Sequence, residues 1–185
     1  MIGDAFILTA LRRIFMKIVS IADNAALCEK AKEYCKEKWE KVYGCFAACA
    51  DESVSAKLLP QTWVVLGDDD GIMGFYQLSE HDLITRKNEF TPFITSLFVD
   101  PTMRGGLGTG KMLLDHARYE AAKLGFDKLY LTTDHIGYYE KYGFREIGLD
   151  LYDWGRPTKI YESGTYGYKS GFYDSETANI PDTTP

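Results

Sequence analysis

The passage from Phe93 to Leu124 constrains this chain most. Phe93 to Val99 (FITSLFV) is a β-branched and aromatic run that reads as a strand, and Asp100-Pro101 ends it. From Gly105 to Gly110, four of six residues are glycine. A helix then reads from about Gly110 to Leu124. Leu113, Leu114, Ala117, Ala121 and Leu124 supply its buried face, and Gly125 its C-terminal stop. Glycines let backbone amides come close to a bound group. A helix start adds unpaired amides and the positive end of the helix dipole. Strand, glycine loop and helix in that order make an anion site, most naturally for phosphate.

The rest of the chain reads as a sheet around this unit. Asp23 to Val42 reads as one helix, capped by Asp23 or Asn24, with Ala26, Leu27, Ala31, Tyr34, Cys35 and Trp39 as its stripe. Thr62 to Leu66 and Ile72 to Leu78 read as strands about a turn at Gly67 to Gly71. The aspartates of that turn lack the spacing of a calcium loop. Glu80 to Pro92 reads as loop, and Lys128 to Thr133 as a strand. A short helix over Gly137 to Tyr142 is followed by strands beginning at Phe144 to Ile147 and at Lys159 to Glu162. His116, among polar helix neighbours, reads as a surface residue. At 185 residues the chain is one domain with trimmings: an extension over 1–15, a domain over 16–164 and a tail over 165–185. The order of elements predicts a mixed α/β fold with a central sheet.

Charge and composition exclude some partners. The net charge of −6 leaves no basic excess for phosphates along a duplex, so nucleic acid is not an expected partner. No run approaches the ~18 apolar residues of a membrane span. Ala5 to Leu11 is followed, not preceded, by Arg12 and Arg13, the wrong order for a secretory signal. A cytoplasmic chain with reduced thiols at Cys28, Cys35, Cys45 and Cys49 is the expectation. Their spacings are not CxxC and no His lies near them, so no metal site is expected.

Two families share the glycine-loop logic. Gly105 to Lys111 matches GxxxxGK, the phosphate loop of nucleotide hydrolases, but Met112 stands where that loop needs Ser or Thr to hold magnesium. The other reading is a pyrophosphate held without metal, as in coenzyme A. The stretch from Val99 through Arg104-Gly-Gly-Leu-Gly-Thr-Gly110 to Leu113-Leu114 resembles the acyl-CoA loop of the GNAT N-acetyltransferase superfamily, Arg/Gln-x-x-Gly-x-Gly/Ala. Leu131-Thr-Thr-Asp-His-Ile-Gly-Tyr-Tyr-Glu-Lys-Tyr-Gly-Phe144 resembles that superfamily's second conserved region. The resemblance follows the element order over residues 17–162 and is sharp over 93–147. There is one departure: from Arg104 to Leu113 the loop is one residue longer than the pattern, and alignment on Gly108 and Gly110 puts Gly105 in the Arg slot.

The resemblance implies a mostly antiparallel sheet, splayed at the acyl-CoA site and flanked by helices. It implies that acetyl-CoA pairs along Leu97, Phe98 and Val99, with its pyrophosphate on the amides of Arg104, Gly105, Gly106, Leu107, Gly108, Thr109 and Gly110. Tyr139 matches the family's general acid, and Tyr138 is the neighbouring candidate. The base is open. The strand 93–99 offers Thr95 and Ser96 but no carboxylate, which leaves Asp134, His135, Glu80, His81, Asp82 or Glu89, or a water path to solvent. His135 has the intrinsic pKa for the role. Asp82, Glu89, Asp134 and Trp154 are candidates for the acceptor site. The implied activity is acetyl transfer from acetyl-CoA to a primary amine of a small molecule, by direct attack in a ternary complex. A protein amine, or a non-catalytic acyl-CoA sensor on the same fold, are the alternatives. A homodimer stays open.

Overall fold

The computed structural model describes residues 16–22, 24–104 and 108–165. The expected extension over 1–15 and all but the first residue of the expected tail lie outside these residues, as do Gly105, Gly106 and Leu107. The elements are β1 (Lys17–Ser20), α1 (Ala25–Lys38), α2 (Glu40–Ser53), β2 (Gln61–Leu66), β3 (Ile72–Ser79), β4 (Phe93–Val99), α3 (Thr109–Lys123), β5 (Lys128–Thr133), β6 (Arg145–Leu151) and β7 (Pro157–Gly164). Short 3₁₀ turns lie at Lys87–Glu89, Pro101–Met103 and Tyr139–Tyr142. Among the described residues the strands form one sheet in the order β1-β2-β3-β4-β5-β7-β6. Every pairing is antiparallel except β4 with β5.

The single helix expected over Asp23 to Val42 is instead two helices, α1 and α2, broken at Trp39. Asn24 caps α1 by accepting from the Leu27 amide at 3.3 Å. The Trp39 backbone is extended at φ −150°, and its amide still reaches the Cys35 carbonyl at 2.7 Å. The reason is geometric. A straight helix over both segments would run about 42 Å, while an eight-residue strand spans only about 27 Å. The break lets both helices cover one face of the sheet. There Leu27, Cys28, Ala31 and Cys35 of α1 and Phe46 and Ala50 of α2 pack with Val64, Leu66, Phe75 and Phe98.

Strand residues of the opposite parity form the second layer. Trp63, Val65, Tyr76, Leu78, Leu129, Leu131 and Tyr161 pack against Leu113, Leu114, Ala117 and Ala121 of α3. Here lies a second correction. His116 is not a surface residue: its side chain is 13% exposed, and its Nδ1 lies 2.6 Å from the Tyr76 hydroxyl. Burial pushes its pKa down from the ordinary 6.5 to about 3. Its polar neighbours misled the sequence reading, because α3 also buries Arg118.

One irregularity shapes the centre of the sheet. Phe75 faces Phe98 and Gln77 faces Thr95, so β4 carries one more residue there than β3. The extra residue is a β-bulge at Ser96, which has φ +50°. The bulge changes the phase of the strand, so Ile94 and then Leu97 and Val99 all face α3 while Phe98 faces α1.

Candidate functional site

The site begins where β4 and β5 part. Phe93 and Tyr130 are the one registered pair between them, supported by the Tyr130 amide on the Pro92 carbonyl at 2.9 Å. Past this point the β5-facing edge of β4 has no strand partner among the described residues. A cleft of about 720 Å³ opens there, with Leu97, Phe98 and Val99 along one wall.

The start of α3 forms the second wall, through Arg104, Gly108, Thr109 and Gly110. Gly108 sits at φ +65° as N-cap, a conformation that favours glycine, and its carbonyl accepts from the Met112 amide at 2.9 Å. Among the described residues no side chain caps the helix, so its first-turn amides remain available to an anion. A side chain at Gly110 would collide with the Tyr138 hydroxyl, which lies over the first turn. The Arg104 Nε donates to the Val99 carbonyl at 2.9 Å, and its guanidinium sits 5.6 Å above the Phe98 ring. Arg104 is therefore anchored at the end of β4, beside the cleft. Met112, at the position where a nucleotide hydrolase needs a hydroxyl, is buried in the core.

The third wall is the turn after β5, which contributes His135, Tyr138, Tyr139 and Tyr142. Tyr139 packs edge-on against Tyr138 at 5.0 Å and Phe144 at 6.0 Å. Burial, then the phenols of Tyr138 and Tyr152, push its pKa above the ordinary value, so it stays protonated at neutral pH. Among the described residues no group is hydrogen-bonded to the Tyr139 hydroxyl, which leaves it a free donor.

Buried Arg118 of α3 holds this turn. Its guanidinium donates to the Tyr142 carbonyl, to Ser163 Oγ at 2.9 Å and to Asp115 at 2.9 Å. It also lies 4.5 Å over the Phe144 ring. The Tyr161 hydroxyl donates to Glu140 at 2.8 Å, and Gly143 closes the turn at φ +80°.

The structure thus brings Leu97, Phe98, Val99, Arg104, Gly108, Thr109, Gly110, His135 and Tyr139 to one cleft. The acidic candidates stand elsewhere, and no carboxylate lines the cleft among the described residues. Glu89 pairs with Arg86 at 3.3 Å, and Asp134 pairs with Arg156. Asp82 accepts from the Thr132 hydroxyl and from the Leu83 amide at 2.8 Å, and burial raises its pKa. Trp154 is exposed and stacks on Tyr152 at 4.4 Å. Sequence reasoning gave no site role to Trp39 and Tyr142, which also line the cleft. Tyr142 was findable, because i and i+3 eclipse on a 3₁₀ turn and place it beside Tyr139. Trp39 was not, because its position follows from the break between α1 and α2.

Comparison with known proteins bears on this arrangement. Residues 60–146 match the family model described as an acetyltransferase (GNAT) domain. The chain is 34% identical over 110 residues to the peptidyl-lysine N-acetyltransferase YjaB of Salmonella typhimurium, covering 57% of this chain and 67% of that protein. It also superposes on the aminoglycoside 6'-N-acetyltransferase from Enterococcus faecium with a TM-score of 0.59 and 16% identity, over 83% of this chain and 99% of that one. On the spermidine/spermine N-acetyltransferase SpeG from Vibrio cholerae the TM-score is 0.56 and the identity 14%, over 80% and 92%. At these identities the solved structures speak to the fold.

Proposed function

The chain belongs to the GNAT acetyltransferase family, and from that premise we propose that it moves an acetyl group from acetyl-CoA to a primary amine by direct attack in a ternary complex. One observation carries the reading. The unpaired edge of β4, the uncapped start of α3 and the free Tyr139 hydroxyl meet in one cleft.

Acetyl-CoA supplies the acetyl group as a thioester. The edge of β4 at Leu97, Phe98 and Val99 offers a row of backbone groups that an extended chain can pair with. The amides at Thr109 and Gly110, with the Arg104 guanidinium nearby, suit a pyrophosphate. The backbone amides of β4 also suit a carbonyl oxygen that gains charge. Tyr139 is the general acid. A phenol is a weaker acid than a thiol, so the transfer is slightly uphill in water. In a dry cleft the departing thiolate is destabilised as well, which offsets that difference. The cysteines play no part in acyl transfer in this reading: Cys28, Cys35, Cys45 and Cys49 lie on α1 and α2 as free thiols, and none of them lines the cleft.

The acceptor is an alkyl amine that reaches the seam as a single extended arm. A small molecule is the first reading. A lysine side chain is the second, favoured by the name of the Salmonella relative. Calorimetric titration with acetyl-CoA, with ATP and magnesium as the control, tests the cleft. A turnover panel of spermidine, kanamycin and a lysine peptide tests the acceptor. Micromolar acetyl-CoA binding without ATP binding is expected, and Tyr139→Phe should lower kcat by about 10²-fold with acetyl-CoA affinity nearly constant. Binding without turnover on any amine would make the chain an acyl-CoA sensor instead.

A further inference from the structure

We propose that Tyr152, Thr132 and Asp82 form a proton relay that takes a proton from the acceptor's ammonium group. The proposal deepens the acyltransferase reading and rests on it.

The need for a base is quantitative. An alkyl ammonium with a pKa near 10.4 is neutral in only about one molecule in 10³ at pH 7.4. The cleft itself carries no carboxylate among the described residues, and on β4 the Thr95 hydroxyl is occupied by Ser79 at 2.8 Å.

The relay lies just past the parting of β4 and β5. Tyr130 is the last β5 residue paired with β4, and Thr132 follows two residues later on the same face of the strand. The Thr132 hydroxyl donates its one proton to Asp82 Oδ2. It can therefore only accept from the Tyr152 hydroxyl, 3.1 Å away. The direction is fixed: Tyr152 donates to Thr132, which donates to Asp82. The Tyr152 oxygen is left with lone pairs for an N–H donor. Through Thr132 that oxygen stands at the end of the seam where β4 and β5 part.

The surroundings hold this chain rigidly. The Leu83 amide occupies the other Asp82 oxygen at 2.8 Å. Ile84 bridges Tyr152, the Asp153 amide donates to the Leu83 carbonyl at 2.9 Å, and Trp154 stacks on the Tyr152 ring. The charged group facing Asp82 is Asp153, itself 3.9 Å from Lys87. Burial and Asp153 both raise the carboxyl's proton affinity, in the direction a base requires.

The step balances. One ammonium proton passes to the Tyr152 oxygen as the Tyr152 proton moves to Thr132 and the Thr132 proton to Asp82. The freed nitrogen lone pair forms the C–N bond, the C–S bond breaks, and Tyr139 gives its proton to sulfur. A second nitrogen proton restores Tyr139, and Asp82 returns its proton to solvent.

The test is kcat/KM from pH 6.5 to 10 for the best acceptor among spermidine, kanamycin and a lysine peptide. Wild type is compared with Asp82→Asn, Tyr152→Phe and the double variant. Asn preserves the acceptor for Thr132, and Phe preserves the stacked ring. Each variant should lose about 10²-fold at pH 7 with the acetyl-CoA KM unchanged. Each should then gain about tenfold per pH unit as free amine appears, and come within a few-fold of wild type near pH 9. The double variant should be no slower than the singles. Uniform loss at every pH, additive losses, or a wild-type profile in the variants would overturn the relay while the acyltransferase reading stands. A wild type that binds acetyl-CoA but acetylates none of the probes overturns that reading and the relay with it.

Discussion

The two halves of the sheet use their polar groups in opposite ways. In the β1–β4 half, buried polar side chains pair inward. Gln77 donates to the Phe46 carbonyl at 2.9 Å and to Thr62 at 3.0 Å, Ser53 donates to the Cys49 carbonyl at 2.7 Å, and Tyr76 meets His116. The β5–β7–β6 half is just as regularly laddered but joins the first through the single register pair Phe93–Tyr130. At that seam stand Tyr139, with a free hydroxyl, and the hydrogen-bonded chain from Tyr152 through Thr132 to Asp82 of the β3–β4 connection. A sheet whose halves are separately stable can leave its centre unpaired, and the unpaired backbone there is what a ligand can use. The first half pairs its buried polar groups within the fold, while the second leaves the Tyr139 hydroxyl open at the seam.

The sharpest way to break that contrast is at Arg118, which ties α3 to the turn carrying Tyr139. Arg118→Met removes the partners of Ser163 and the Tyr142 carbonyl and weakens the hold on Asp115, which Lys111 still pairs at 2.5 Å. Breaking a buried charged network of this kind costs about 4 kcal/mol. Urea unfolding should show that loss. Turnover should fall by about tenfold or more, while calorimetry shows acetyl-CoA affinity changed only a few-fold. Equal turnover in a destabilised Arg118→Met protein would mean that the turn is held by its other contacts, and that the second half is as self-sufficient as the first.

A second, smaller effect tests the inward-pairing half. His116 is neutral and buried in the folded state, with a pKa of about 3 against about 6.5 when unfolded. Between those values the unfolded chain binds more protons, so stability is present above pH 6.5 and is lost as pH falls toward 3. The expected loss from this group between pH 7 and pH 4 is on the order of 3 kcal/mol. His116→Gln keeps an acceptor for Tyr76 and should flatten that part of the curve of Tm against pH. Tyr139→Phe, in the seam, should leave the curve unchanged. A wild-type curve in His116→Gln would show that the ring charges in place, paired with Glu120 at 3.7 Å.

Local chemistry made much of this legible in the sequence. The strand 93–99, the helix after the glycines and the strand 128–133 follow from β-branched runs, helical spacing and glycine stops, and each has those bounds to within a residue. The cleft walls follow from motifs short enough to be local. Long-range geometry stayed hidden. The break at Trp39 depends on the width of the sheet. The burial of His116 depends on Tyr76, forty residues away. Asp134 read as an acceptor acid because Arg156, which neutralises it, lies twenty-two residues away, whereas Glu89 pairs with Arg86 only three residues before it, a local signal the reading did not use. Tyr152 carried no signal at all, since its place beside Thr132 depends on a loop about seventy residues earlier folding back against it.

The least disruptive test acts on the seam itself. Ser96 holds the bulge at φ +50°, a region that costs a non-glycine residue about 1 kcal/mol and a β-branched one more. Ser96→Gly relieves that strain while adding freedom to the unfolded chain, so the two effects nearly cancel. Stability should change by less than about 1 kcal/mol, with the acetyl-CoA KM within about twofold of wild type. Ser96→Val cannot hold the positive φ without strain. It should cost about 2 kcal/mol, pull β4 toward regular pairing and raise the acetyl-CoA KM more than its loss of stability alone explains. The two substitutions separate the bulge from the side chain. If Val at 96 destabilises the protein but leaves acetyl-CoA binding untouched, the splay does not depend on the bulge, and the short β4–β5 pairing at Phe93–Tyr130 must instead be set by the turn after β5.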